Sequence, residues 1–176
     1  MKTSNFISRI SSDELSDYDL FCDRLQVINF CAITQILQQR LSWTKQQIDQ
    51  AIERYRQLLF LLNQHPDQPI VPDQITDEVL HAHLEMGDRF MQDCLHILGF
   101  ELIHESTVKI ENEGDRHHWL AVFANTQLRL RKNFGVSAKS STRNRFRCRS
   151  LKLQFLLPAY CVLSRSAKYP LSAAPS

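Results

Sequence analysis

Apolar residues recur every three or four positions over most of the first 136 residues, the spacing of helix faces. Leu15, Tyr18, Phe21, Leu25, Ile28 and Ala32 form such a face behind Ser11 and Glu14, which have capping-box spacing, and predict a helix over about 13–39. Ser42 is placed to cap a second helix with Ile48, Ala51, Ile52, Tyr55, Leu59 and Leu62 inward. Its run Leu58–Leu62 is apolar all round, so this helix is expected to be the central, most buried one. Pro66 ends it, and Pro66, Pro69 and Pro72 impose an extended connector. Thr76 is placed to cap a short third helix ending near Gly87, with Asp77 and Glu78 in its first turn. Asp88 opens a fourth, carrying Phe90, Met91, Cys94, Ile97 and Leu98 and stopped by Gly99. Phe100–Ile110 reads as irregular chain or a short strand. Asp115 caps a fifth helix, with Trp119, Val122, Phe123, Thr126 and Leu130 inward and Phe134-Gly135 at its end. The fold class expected is all-α: a compact bundle of about five helices over residues 12–136, interrupted by the Pro-rich connector.

Composition agrees. The 176 residues fit one domain, and four glycines with six prolines are too few for a turn-rich all-β fold. Charge divides the chain. Residues 1–115 hold all 19 acidic residues and nine basic ones, a net −10, whereas residues 116–176 hold twelve basic residues and no acid, a net +12. Residues 137–176, Ser/Arg-rich at the start and without periodicity, therefore read as a loose, basic, disordered tail. An altered reading frame would give the same composition. Five cysteines without a CxxC pair make a disulfide framework unlikely and fit a reducing cytosol, so a cytoplasmic location is expected. The longest apolar stretch, Leu151–Leu163, is broken by Lys152, Gln154 and Pro158 and is too short to span a bilayer, so no membrane association is expected.

Candidate chemistry concentrates between residues 65 and 104, where five of the seven histidines lie. Asp77 and His81 are one helical turn apart, a spacing that lets both grip one metal ion or lets the carboxylate orient the imidazole. His81 and His83 lie about 200° apart on a helix, so one faces in and the other out. His104, from the following loop, can supply a third ligand and Cys94 a fourth, a mixed set that zinc accepts. The candidate metal ligands are thus Asp77, His81, His83, Cys94 and His104, for a divalent transition metal such as zinc or iron. The competing reading is a structural polar cluster in which Cys94 is simply a small hydrophobe. Arg56, if buried, needs a carboxylate, and Asp77 or Asp93 is available. His117-His118 reads as solvated, and His65 as capping a carbonyl at the end of the central helix. Arg143, Arg145, Arg147 and Arg149, interleaved with Phe146, are candidates for non-specific contact with nucleic-acid phosphates, set against a plain solvated tail. There is no Gly-rich phosphate loop, GxSxG elbow, HExxH or EF-hand loop.

The succession Tyr55-Arg56…Leu59, His65-Pro66, Pro69, Val71-Pro72, Asp77…Leu80-His81-Ala82-His83-Leu84, Phe90…Asp93-Cys94, Gly99 and His104 resembles the glycine-rich domain-containing protein-like family in its short bacterial form, over about residues 50–136. Trp119, Thr126 and Phe134-Gly135 resemble its closing helix. The resemblance implies that Asp77, His81, His83, Asp93, Cys94 and His104 matter as a group, without naming a reaction. Leu80 and Phe90 depart from it, standing where the family usually has Trp and Tyr. The glycine-rich region that names the family is absent.

Three functions follow as expectations. The first is a non-enzymatic metal- or partner-binding module built on the Asp/His/His cluster, with an unidentified protein partner. The second is a metal-dependent, hydrolase-like enzyme using the same residues. The third is nucleic-acid binding through the Arg-rich tail. Whether the chain is an enzyme stays open at this level.

Overall fold

The computed structural model describes residues 17–105, 111–135, 159 and 161–166. Within them the chain forms α1 (Asp17–Arg24), a 3-10 turn (Leu25–Val27), α2 (Phe30–Arg40), α3 (Lys45–Gln64), α4 (Gln74–Leu84), α5 (Asp88–Leu98), β1 (Leu102–Glu105), α6 (Glu113–Phe134) and β2 (Val162–Arg165). The architecture is all-α with one two-stranded ribbon. Ser11 and Glu14, and all four tail arginines Arg143, Arg145, Arg147 and Arg149, lie outside the described residues.

The first predicted helix is two helices meeting at a bend of 77°. Asn29 is the cause. Its side chain accepts a hydrogen bond from the Ala32 N–H at 3.1 Å, which restarts the chain as a new helix rather than continuing the old one. Phe21, Leu25 and Ile28 still face the core across that bend. α3 begins at Thr44, not at Ser42. A reciprocal capping box decides it: the Thr44 N–H donates to Gln47 Oε1 at 2.8 Å and the Gln47 N–H to Thr44 Oγ1 at 3.3 Å. As expected, α3 is the axis of the fold. Ile48, Ala51, Ile52, Tyr55 and the whole run Leu58–Leu62 are buried, and α1, α2, α4, α5 and α6 all pack on it.

The connector 65–73 is free of helix but not extended throughout: it opens with a turn at Pro66-Asp67, where the Gln68 N–H donates to the His65 carbonyl at 3.1 Å. α4 starts one turn before Thr76. Asp73 is its cap: Oδ1 accepts from the Thr76 N–H at 2.9 Å and the Thr76 hydroxyl at 3.0 Å, while Oδ2 takes the Arg54 guanidinium at 3.1 Å. Gly99 ends α5 in the left-handed conformation at φ 78°, where a side chain is strained. α6 starts at Glu113, capped by Asn112 rather than Asp115.

The end of the chain departs most from expectation. Residues read from the sequence as disordered tail form β2, antiparallel to β1 with His104 opposite Leu163 and Glu105 opposite Val162. Leu163 also bridges Ile70, through the Ile70 N–H to the Leu163 carbonyl at 3.0 Å and the Leu163 N–H to the Ile70 carbonyl at 2.8 Å. The Ala159 N–H reaches the Pro72 carbonyl at 3.0 Å, and the Ser166 N–H the Glu101 carbonyl at 2.9 Å. Residues 159 and 161–166 thus lie between the Pro-rich connector and β1. Leu163 is fully buried and Ala159 and Cys161 nearly so. Burial of apolar side chains outweighs the basic composition of the region around them.

Candidate metal centre

Three elements bring one carboxylate, two imidazoles and a thiol together. Asp77 lies in the first turn of α4, its register set by the Asp73 cap four residues before it. His81 follows one turn later, its Nε2 3.7 Å from Asp77 Oδ2. His104 stands on β1 with its Nε2 3.6 Å from Asp77 Oδ1. Cys161 immediately precedes β2 and its thiol donates to Asp77 Oδ1 at 3.0 Å. The two imidazole rings meet edge to face at 4.9 Å.

The strand period explains the second pair. Leu102 and His104 share one face of β1, and Cys161 and Leu163 share the corresponding face of the chain through β2, because side chains alternate along an extended chain. Leu102 and Leu163 are buried, so that face is the inner one, turned toward α4. His104 is 8% exposed and Asp77 19%, while His81, at 41%, forms the rim.

Ligand atoms of Asp77, His104 and Cys161 lie within 4.8 Å of one another, a group that can hold a metal ion. Nε2 of His81 and Nε2 of His104 are both shielded from solvent and, among the described residues, neither has a hydrogen-bond partner. Both are turned toward Asp77 yet stand too far for a hydrogen bond. Buried polar atoms are ordinarily satisfied; two lone imidazole nitrogens around one carboxylate are what a shared cation would satisfy. Burial pushes the Asp77 carboxyl up, but the facing His104 ring, the Cys161 thiol and the nearby His81 outweigh it and hold it below its ordinary value. Burial, then Asp77 itself, pushes the Cys161 thiol up, so it carries its proton unless a cation takes its place.

His83 and Cys94 do not join this group. One hundred degrees per residue turns His83 away from His81 and into the core, where it is 1% exposed. The Tyr55 hydroxyl donates to His83 Nδ1 at 2.8 Å, and the His83 Nε2–H faces Asp93 Oδ2 at 3.3 Å. Burial lowers the His83 pKa against the pull of Asp93, so the ring is a neutral link. Asp93 is completed by Arg89 Nε at 2.9 Å. Burial also raises the Tyr55 pKa well above its ordinary value, which keeps it a donor. Tyr55, His83, Asp93 and Arg89 are therefore a chain of polar groups crossing from α3 to α5. Cys94 is 1% exposed on the apolar face of α5, its thiol pushed up to about 12 by burial and then by Asp93; it behaves as a small hydrophobe. Arg56 pairs with neither Asp77 nor Asp93. It lies 3.8 Å from Glu53 and stacks on Phe30 at 4.5 Å. His117, as read, is exposed, and it lies 3.3 Å from Glu113.

Cys161 lies in an apolar run, Leu151–Leu163, that carries no ligand spacing of its own. A short apolar segment flanked by Pro158 and Ser166 is a strand signal. No helix of the described residues is long and apolar enough to cross a membrane. A cavity of about 480 Å³ lies at the α1–α2 bend, lined by Cys22, Leu25, Phe30, Cys31 and Arg56 among others; none of its lining residues belongs to the Asp77 group.

A scan of protein-family models, a search of curated proteins and a search of solved structures each found no match to this chain.

Proposed function

We propose that the protein is a metal-binding module whose ion is held by Asp77, His104 and Cys161, with His81 at the rim as a further ligand. What carries the reading is the pair of shielded, unpartnered imidazole nitrogens aimed at a carboxylate that a thiol also touches. The donor set is one carboxylate oxygen, one or two imidazole nitrogens and one thiolate. Such a mixture suits zinc first and ferrous iron second, and suits magnesium or calcium poorly. Asp77 and the Cys161 thiolate together neutralise a divalent charge. The role is structural: the ion ties α4 to the ribbon. The resemblance over residues 50–136 to the glycine-rich domain-containing protein-like family is part of the same proposal, since Asp77, His81 and His104 are among the residues that carry it. So is a cytoplasmic location, which keeps Cys161 and the other cysteines reduced.

The test is elemental analysis of untagged protein, with zinc titration of the wild type and of an Asp77→Asn, His104→Ala variant. One equivalent of zinc or iron in the wild type, lost in the variant, is the expected result. No metal in either, with the variant merely less stable, would make the cluster part of the scaffold.

A further inference from the structure

The ligands come from pieces of chain far apart in sequence. Asp77 belongs to a helix whose start is fixed by its own cap, and His104 to β1. Cys161 arrives from 84 positions beyond Asp77, next to a strand that joins the body through one two-stranded ribbon. Contacts of the described residues include the short ladder to β1, the Ile70–Leu163 bridge, backbone bonds from Ala159 to Pro72 and from Ser166 to Glu101, and Arg165, which lies 3.4 Å from Asp67 and over the Phe100 ring at 5.6 Å. Apolar contact comes mainly from Ala159, Cys161 and Leu163. A two-stranded ribbon with so small an apolar face is marginal by itself.

Resting on the metal reading above, we infer that metal binding and the docking of residues 161–166 are one coupled equilibrium. The ion is a clasp: it joins the Cys161 thiolate to Asp77 and His104, the thiol proton leaving to solvent, and so pins β2 between the connector and β1. Reciprocity follows. A metal that favours the docked segment must itself bind more weakly whenever docking is weakened, even with every ligand intact. Leu163 supplies that separation. It is a docking residue, fully buried opposite His104, and carries no ligand atom.

The experiment uses the full chain and zinc chloride as the probe. Zinc affinity is measured by competition with a chromophoric chelator for the wild type, Cys161→Ser and Leu163→Ala. Amide exchange of peptides covering 102–105 and 161–166 is followed with and without zinc, α3 serving as control, and far-ultraviolet circular dichroism checks that the helices persist. Zinc is expected to slow exchange of 161–166 by about tenfold in the wild type, within the usual range for coupled sites, and to leave α3 unchanged. Leu163→Ala should bind zinc about tenfold more weakly, and Cys161→Ser should lose the zinc-dependent protection. Zinc bound by the wild type with unchanged exchange at 161–166, or wild-type affinity in Leu163→Ala, overturns the clasp and leaves the metal site standing. Absence of zinc binding by the wild type removes the metal reading and the clasp with it.

Discussion

Two residue steps separate two chemistries in α4. His81 and His83 are two positions apart, and the helical turn sends one to Asp77 at the rim and the other to Tyr55 in the core. Removing the Tyr55 hydroxyl leaves His83 Nδ1 buried and unsatisfied, so Tyr55→Phe should cost about 1–3 kcal/mol of stability by urea unfolding. His83 also sets a pH dependence. Burial holds its folded pKa below the ordinary value, so the unfolded chain takes up the proton first as pH falls. This part of the stability is complete above about pH 6.5 and is lost below it, down through the lowered folded value. Unfolding free energies compared at pH 7.5 and 5.5 should fall more steeply in the wild type than in His83→Gln; equal slopes would mean that folding leaves the affinity of the ring for its proton unchanged. Asp77 acts in a different window. Its lowered pKa gives stability that is present above the ordinary carboxylate range and lost only as pH falls through and below that range.

At the scale of elements, caps decide where helices begin and therefore where ligands point. Asp73 starts α4 one turn before Thr76, and that start fixes Asp77 and His81. The apolar periodicity showed the face of α3, and that of α5 apart from the exposed Met91, because burial repeats every turn; of the α6 face only Trp119 and Thr126 are buried. It could not choose between neighbouring cap residues such as Ser42 and Thr44, since both can accept the hydrogen bond and only the Gln47 reciprocal contact distinguishes them. Nor could it see the break at Asn29, because Ile28 and Ala32 keep the helical spacing across it. Thr44→Ala should cost about 1 kcal/mol, a capping loss. Gly99→Ala, which forces a side chain into the left-handed region, should cost about 1–2 kcal/mol. Thermal or urea unfolding checks both, and a neutral Thr44→Ala would show that the box is frayed in solution.

For the whole molecule, the metal reading predicts that stability depends on metal concentration. At zinc a hundredfold above its dissociation constant the wild type should gain about 2.7 kcal/mol over the chelated protein. The midpoint of thermal unfolding should rise accordingly, and the Asp77→Asn, His104→Ala variant should show no rise. The ribbon that completes the site pairs His104 with Leu163, at a separation no local pattern encodes. Composition misled at this scale. The stretch after Val136 has no acidic residue, yet part of it is packed core.

The sequence by itself determined the helical class, the central place of α3, the helix-free connector and the Asp77–His81 pair. All of these follow from periodicity, proline geometry and spacings within one turn, which are short-range and printed in the order of residues. The tertiary structure alone decided that His83 and Cys94 belong to the core and that Cys161 joins Asp77 and His104. Those outcomes depend on which helix face meets which neighbour and on a strand pairing across more than fifty residues, where burial and backbone hydrogen bonding act between segments that the sequence does not show as adjacent.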